Sequence, residues 1–157
     1  MTKSCYDKAL ELLARRAHSR FELQRKLAGR RYSPEEVEAA LERVAGLGYL
    51  DDGQFARDFL RQRLARGPVG ARRLRAELAR RGVSAEDSQA ALEELLPEDD
   101  REGAREAAAQ WRRRSARSPS PSNAAALARF LERQGFSRRA IVSVLENEGE
   151  GDAELYD

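Results

Sequence analysis

The chain repeats itself, and this limits its fold more than any other feature. Residues 22–44 (ELQRKLAGRRYSPEEVEAALERV) align with 73–95 (RLRAELARRGVSAEDSQAALEEL) at a constant offset of 51, setting Leu23 on Leu74, Leu27 on Leu78, Ser33 on Ser84 and Leu41 on Leu92. Residues 126–148 (ALARFLERQGFSRRAIVSVLENE) join at a further offset of 53, with Leu74 on Leu127, Leu78 on Leu131, Gly82 on Gly135, Ser84 on Ser137 and Leu92 on Leu145. Matches at one fixed offset per pair are the mark of stacked supersecondary units. The expected organisation is three units, residues 5–50, 51–97 and 98–148, followed by an acidic tail at 149–157.

Each unit reads as three helices. In the first, Leu10, Leu13, Ala14 and Ala17 share one helical face, Leu23 and Leu27 mark a second helix, and Val37, Ala40, Leu41 and Val44 a third. The second unit has Phe55, Ala56, Phe59, Leu60 and Leu64, then Leu74 and Leu78, then Ala91, Leu92 and Leu95. The third has Ala104, Ala107, Ala108 and Trp111, then Leu127, Phe130 and Leu131, then Ile141, Val144 and Leu145. Helix starts are marked by Ser19-x-x-Glu22 and Ser33-Pro34-Glu35-Glu36, both capping-box patterns, and by Asp51-x-x-Gln54 and Ser84-x-x-Asp87. Gly82 and Gly135 fall where a left-handed residue ends a helix, whereas the first unit has Arg31 in that slot. No useful stretch alternates with period two, so no sheet is expected. The segment SARSPSPS (115–122) reads as a loop.

The predicted fold is therefore all-α: three tandem three-helix repeats, helix-turn-helix-like, stacked into an elongated curved array. With 36% charged and 6% aromatic residues, each unit has only a thin core. Such a body offers a surface rather than a pocket. Cys5 is the one cysteine, which excludes an internal disulfide, and neither a signal peptide nor a membrane span is visible. A cytoplasmic monomer is expected.

Catalysis needs a positioned group of suitable pKa and usually a partner. The one histidine, His18, precedes the Ser19 cap and is expected to be exposed or capping; Trp111 is expected in the core. No metal-ligand spacing and no phosphate loop is present, so neither enzyme activity, metal nor cofactor is expected.

Charge points to binding. Residues 57–83 hold nine arginines against Asp58 and Glu77, while 146–157 hold six acids and no base. The basic stretch implies an anionic partner, either nucleic acid or acidic protein. On the first two helices of the middle unit the candidate partner- and phosphate-binding residues are Arg57, Arg61, Arg72, Arg73, Arg75 and Arg80. A sequence-specific helix-turn-helix DNA reader is the alternative, with a DNA-independent scaffold a third reading. The DNA reader needs a basic reading helix, yet the third helices of units one and two expose Glu35, Glu36, Glu38 and Glu42, and Glu86, Asp87, Glu93 and Glu94. Only the third unit, with Arg138 and Arg139, escapes this objection.

These residues resemble a known family. GYLDDGQFARDFL (48–60), with Gly48-Tyr49, Asp51-Asp52 and Phe55-Ala56 in order, resembles the signature of the bacterial RecX regulatory proteins. The opening block Ala9-Leu10-x-x-Leu13 with Arg16, then Ser19-x-x-Glu22-Leu23-x-x-Lys26-Leu27, and the middle block Glu77-Leu78-x-x-Arg81-Gly82-Val83, are similar to the family's own. The resemblance spans residues 5–148, with Arg31 in place of a usual glycine and the serine-proline loop as departures. It implies an all-helical repeat protein that binds RecA, lodges in the groove of its filament on single-stranded DNA, and restrains strand exchange and coprotease activity. It implies no cofactor and no catalytic residue. With the basic middle stretch, a weak direct contact with nucleic acid is expected.

Overall fold

A computed structural model describes residues 2–116 and 124–154 and, within the last helix, side chains only as far as residue 148. Among the described residues there are nine helices and no strand. They are α1 (Cys5–Arg15), α2 (Arg20–Ala28), α3 (Pro34–Gly46), α4 (Asp52–Ala65), α5 (Ala71–Arg80), α6 (Ala85–Leu95), α7 (Arg101–Ser115), α8 (Ala124–Arg133) and α9 (Arg138–Glu154). Three consecutive triplets match the repeat. Helix α9 runs past residue 148, where the acidic tail was expected to begin. From residue 117 the serine-proline loop lies outside the described residues, as does the tail beyond 154.

The sequence devices act as their chemistry requires. Ser33 accepts the Glu36 N–H while the Glu36 carboxylate accepts the Ser33 N–H, a complete capping box with Pro34 beginning the helix. Ser19 makes only half of one. Its hydroxyl accepts the Glu22 N–H, but the Glu22 side chain turns to Arg16 instead. Asp51 accepts the Gln54 N–H, Ser84 the Asp87 N–H and Ser137 the Ala140 N–H.

Two compact units emerge, residues 1–59 with 77–91 and residues 60–76 with 92–157. In the first, α1, α2 and α3 pack together around Ala9, Leu12, Leu23, Leu27, Leu41 and Val44. Emptying a fully buried site such as Leu41 would cost about 3–5 kcal/mol, the lost burial plus the cavity left behind. The expected face of α1 is corrected. Its buried residues are Cys5, Ala9 and Leu12, with Leu10 and Leu13 flanking them, while Ala14 and Ala17 are exposed. The helix stops at Arg15, and alanine side chains are too small to fix a face. In the second unit α7, α8 and α9 enclose Ala104, Ala107, Ala108, Leu127, Leu131, Phe136, Ala140 and Val144. Three alanines on α7 bring that helix close to its neighbours, and Phe136 supplies the volume they lack. Trp111 packs at the edge of this core, 6.1 Å from Phe130.

Gly82 and Gly135 end α5 and α8 with one hydrogen-bond pattern. Val83 N–H reaches Leu78 C=O and Gly82 N–H reaches Ala79 C=O; Phe136 and Gly135 bond Leu131 and Glu132 likewise. Both glycines are left-handed, with φ of 77° and 87°, and the pattern satisfies carbonyls that would otherwise be orphaned.

Candidate functional site

Within the first unit, the start of α2 is tied to the end of α5. The Ser19 hydroxyl, besides capping α2, donates to the Arg81 carbonyl. Arg20 N–H donates to the Asp52 carboxylate at 2.8 Å, and burial pushes that carboxyl above its ordinary range. Phe21 lies on Gly82 so closely that a Cβ on the glycine would fall 2.1 Å from the phenylalanine Cβ. The ring is nevertheless 40% exposed.

These ties build a groove of about 600 Å³ between α2 and the α5 end. Phe21 forms part of its wall, and five cationic side chains line it: Arg16, Arg25, Lys26, Arg80 and Arg81. Glu22 is the one carboxylate there, and it is engaged by Arg16 at 2.7 Å. The Arg25 guanidinium sits 5.6 Å from the Phe21 centroid, within cation–π reach. The Arg81 guanidinium sits 4.3 Å from the Phe59 centroid and donates to the Glu77 carbonyl. Clustered cations raise one another's cost, and an anion entering the groove relieves it.

His18 corrects the expectation of an exposed or capping residue, being only 3% exposed. Its Nδ1 lies 2.9 Å from the Arg16 carbonyl, so Nδ1 carries the proton and donates, which leaves Nε2 to accept from Lys26 Nζ at 2.9 Å. A second proton would face the ammonium. Burial first, then the neighbouring cations, hold the imidazole below its ordinary value, with the Arg16 hydrogen bond opposing. The ring braces Lys26 beside the groove.

The six arginines singled out from the sequence are not all placed together. Arg80 lines the groove. Arg57, half-buried on α4, donates to Gln54 at 2.9 Å. Arg61 is exposed and 3.9 Å from Glu94. On α5, Arg72 and Arg75 are exposed, and Arg73 is half-buried against Gly135. Sequence reasoning missed Arg16, Phe21, Arg25 and Lys26. A signal was available, because residues 15–31 hold seven basic residues against Glu22. The larger excess at 57–83 masked it.

The acids of α3 are partly neutralised, since Arg20 bonds Glu38 at 2.7 Å and Glu42 at 2.8 Å. A second groove, of about 560 Å³ in the second unit, has Val69, Leu95, Leu96 and Phe136 in its wall. Of its three acids, Asp99 is engaged by Arg101 and Asp100 by Ser137. Among the described residues no cluster of His, Cys, Asp or Glu could hold a metal, and no helix is long and apolar enough to cross a membrane.

Two family models match the chain: RecX, first three-helix domain, over residues 5–43, and RecX, second three-helix domain, over residues 51–92. The Regulatory protein RecX of Chromohalobacter salexigens is 40% identical over 145 residues, covering 90% of this chain and 93% of the relative. That of Chromobacterium violaceum is 38% identical over 156 residues, covering 99% and 96%. Among solved structures, a crystal structure of regulatory protein RecX superposes with a TM-score of 0.78 at 23% identity, covering 90% of this chain and 70% of that one. RecX from Lactobacillus salivarius gives 0.76 at 17%, covering 91% and 93%.

Proposed function

The chain belongs to the RecX family of regulatory proteins, and from that premise we propose that it regulates RecA, mainly as an inhibitor. In this reading it acts as a cytoplasmic monomer without catalysis or cofactor. It enters the groove of the RecA filament on single-stranded DNA and restrains strand exchange, ATP turnover and coprotease activity, and so regulates DNA repair. Arg57, Arg61, Arg72, Arg73, Arg75 and Arg80 engage acidic RecA surface and nearby phosphates. One molecule then bridges neighbouring protomers through its three repeats and denies the groove to incoming duplex.

The observation that carries this reading is the arginine excess on α4 and α5, nine against two acids over residues 57–83. Arginine suits the role, because its planar fork binds carboxylate and phosphate alike through paired hydrogen bonds. The exposed members, Arg61, Arg72, Arg75 and Arg80, make the decisive variant. Reversing all four to Glu should weaken inhibition of RecA strand exchange and ATP turnover at least tenfold while the circular-dichroism spectrum stays helical. Undiminished inhibition by the folded variant would remove these residues from the mechanism.

A further inference from the structure

We propose that the groove between α2 and the end of α5 is a binding site for single-stranded DNA that works without RecA. In it an unpaired base stacks on Phe21, and the flanking phosphates lie on Arg25, Lys26, Arg80 and Arg81. Charge and an aromatic ring meet in one groove. Five cations and one already paired carboxylate select an anion but do not say which. Phe21 narrows the choice. Its ring is 40% exposed among these cations and so offers an open aromatic face. A flat π-face between cations that can reach a backbone is the combination by which single strands are held without sequence preference. An acidic peptide would satisfy the charges and leave the ring bare. A duplex would offer phosphates with its bases already stacked on each other.

The ring is also held in place. Phe21 rests on Gly82, which has no side chain to push it away, and Ser19 pins the start of α2 to the Arg81 carbonyl. The base therefore meets a surface already positioned, which spares ordering cost on binding. Arg25, 5.6 Å from the ring centroid, is placed to follow either the base or its phosphate. Lys26 is steadied by His18. A groove of about 600 Å³ is of the size that takes a small-molecule ligand, enough for a base with its sugar-phosphate.

The equivalent place in the second unit lacks this chemistry. At the offset of 51, Phe21 corresponds to Arg72, Arg25 to Ala76 and Lys26 to Glu77, so neither the stacking ring nor the two cations of α2 recur there. The site is thus peculiar to the first unit. Its failure would leave the reading as a RecA regulator intact, because the assay contains no RecA.

The experiment is fluorescence anisotropy of a labelled dT20 oligonucleotide with the full chain, set against a 20-base-pair duplex of mixed sequence. Phe21→Leu keeps apolar packing on Gly82 and removes the π-face, and it should weaken dT20 binding roughly tenfold, the value of one base–aromatic stack. Arg25→Ser with Arg80→Ser should flatten the salt dependence by about 1.4 in log affinity per tenfold salt, about 0.7 for each phosphate no longer neutralised. Both residues are exposed, so the fold should tolerate their replacement. The wild-type chain should bind the duplex several-fold more weakly than dT20. Wild-type affinity of Phe21→Leu for dT20, an unchanged salt slope in the double variant, or duplex bound as tightly as the single strand would each overturn the proposal.

Discussion

Gly82 and Gly135 end their helices with the same hydrogen bonds, yet different neighbours press on them. On Gly82 lies a side chain: an added Cβ would meet Phe21 Cβ at 2.1 Å and Cγ at 2.3 Å. On Gly135 lies backbone: an added Cβ would meet Arg73 N at 2.3 Å, while a Cβ on Gly70 would meet the Gly135 carbonyl carbon at 2.2 Å. The two places are equivalent in the repeat. Ser19 corresponds to Gly70 at the offset of 51, and Arg81 to Gln134 at the offset of 53. The Ser19 hydroxyl donates to the Arg81 carbonyl, and Gly70 N–H donates to the Gln134 carbonyl at 2.8 Å. The start of one repeat's second helix thus sits on the end of the next repeat's second helix, once in each compact unit. The geometry of the junction is kept, and what fills it is free to vary. In the first unit that freedom places a ring among cations.

The largest effect should come where backbone meets backbone. Gly135→Ala forces an alanine into a left-handed conformation and drives its methyl into Arg73, so unfolding free energy should fall by about 3 kcal/mol or more in a urea titration. Arg73→Ala should not restore it, because the nearest atom is a main-chain nitrogen. Gly82→Ala should cost somewhat less, about 2–3 kcal/mol. In a Phe21→Ala background the cost should shrink by about 1 kcal/mol, since Cγ and Cδ1 of the ring no longer oppose the methyl. A coupling of that size at Gly82 and none between Gly135 and Arg73 would confirm the contrast. Equal coupling at both would break it.

The same contrast explains a residue that looked like a flaw in the sequence. Arg31 occupies the slot of Gly82 but does not take its left-handed conformation. Helix α2 closes instead on Gly29 with φ −72°, and among the described residues no non-glycine has positive φ. Arg31→Gly should therefore gain nothing and lose under about 1 kcal/mol, through the added freedom of the unfolded chain. Marked stabilisation by that change would mean that the slot wants glycine in every repeat.

The smallest effect concerns the brace beside the groove. His18 is held below its ordinary value mainly by burial. As pH falls from about 7 towards 5 the unfolded chain takes up a proton there and the folded chain resists, so stability declines over that window. Asp52, raised by burial, works in the opposite sense and at lower pH, in the carboxylate range. Urea titrations at the two ends of the window should show the decline, and His18→Gln should reduce it. An identical decline in the variant would move the cause elsewhere.

Much of the fold was legible because it rests on local chemistry repeated three times. Leucines at fixed offsets marked Leu23, Leu74 and Leu127 as core, and serines and glycines marked helix ends. The face of α1 was misread, since Ala14 and Ala17 look apolar in a pattern and yet are exposed. His18 was misread because nothing in its immediate sequence announces the bonds to Arg16 and Lys26 that hold the ring. The groove was the hardest to see. Its cations come from residues 16–26 and 80–81, and charge counted along the chain cannot show which runs converge in space. Arg57 and Arg73 show the converse, since a charge-rich segment also contains arginines that pack.

Co-sedimentation of the chain with RecA filaments assembled on single-stranded DNA tests the central reading most directly, with RecA-free DNA as the control. The Phe21→Leu variant is the informative form, because its own hold on DNA should be weakened while the arginines of α4 and α5 are intact. The account predicts that this variant pellets with the filaments, stays in the supernatant with bare DNA, and is released from filaments when Arg61, Arg72, Arg75 and Arg80 are reversed. Recovery with filaments no greater than with bare DNA would contradict it.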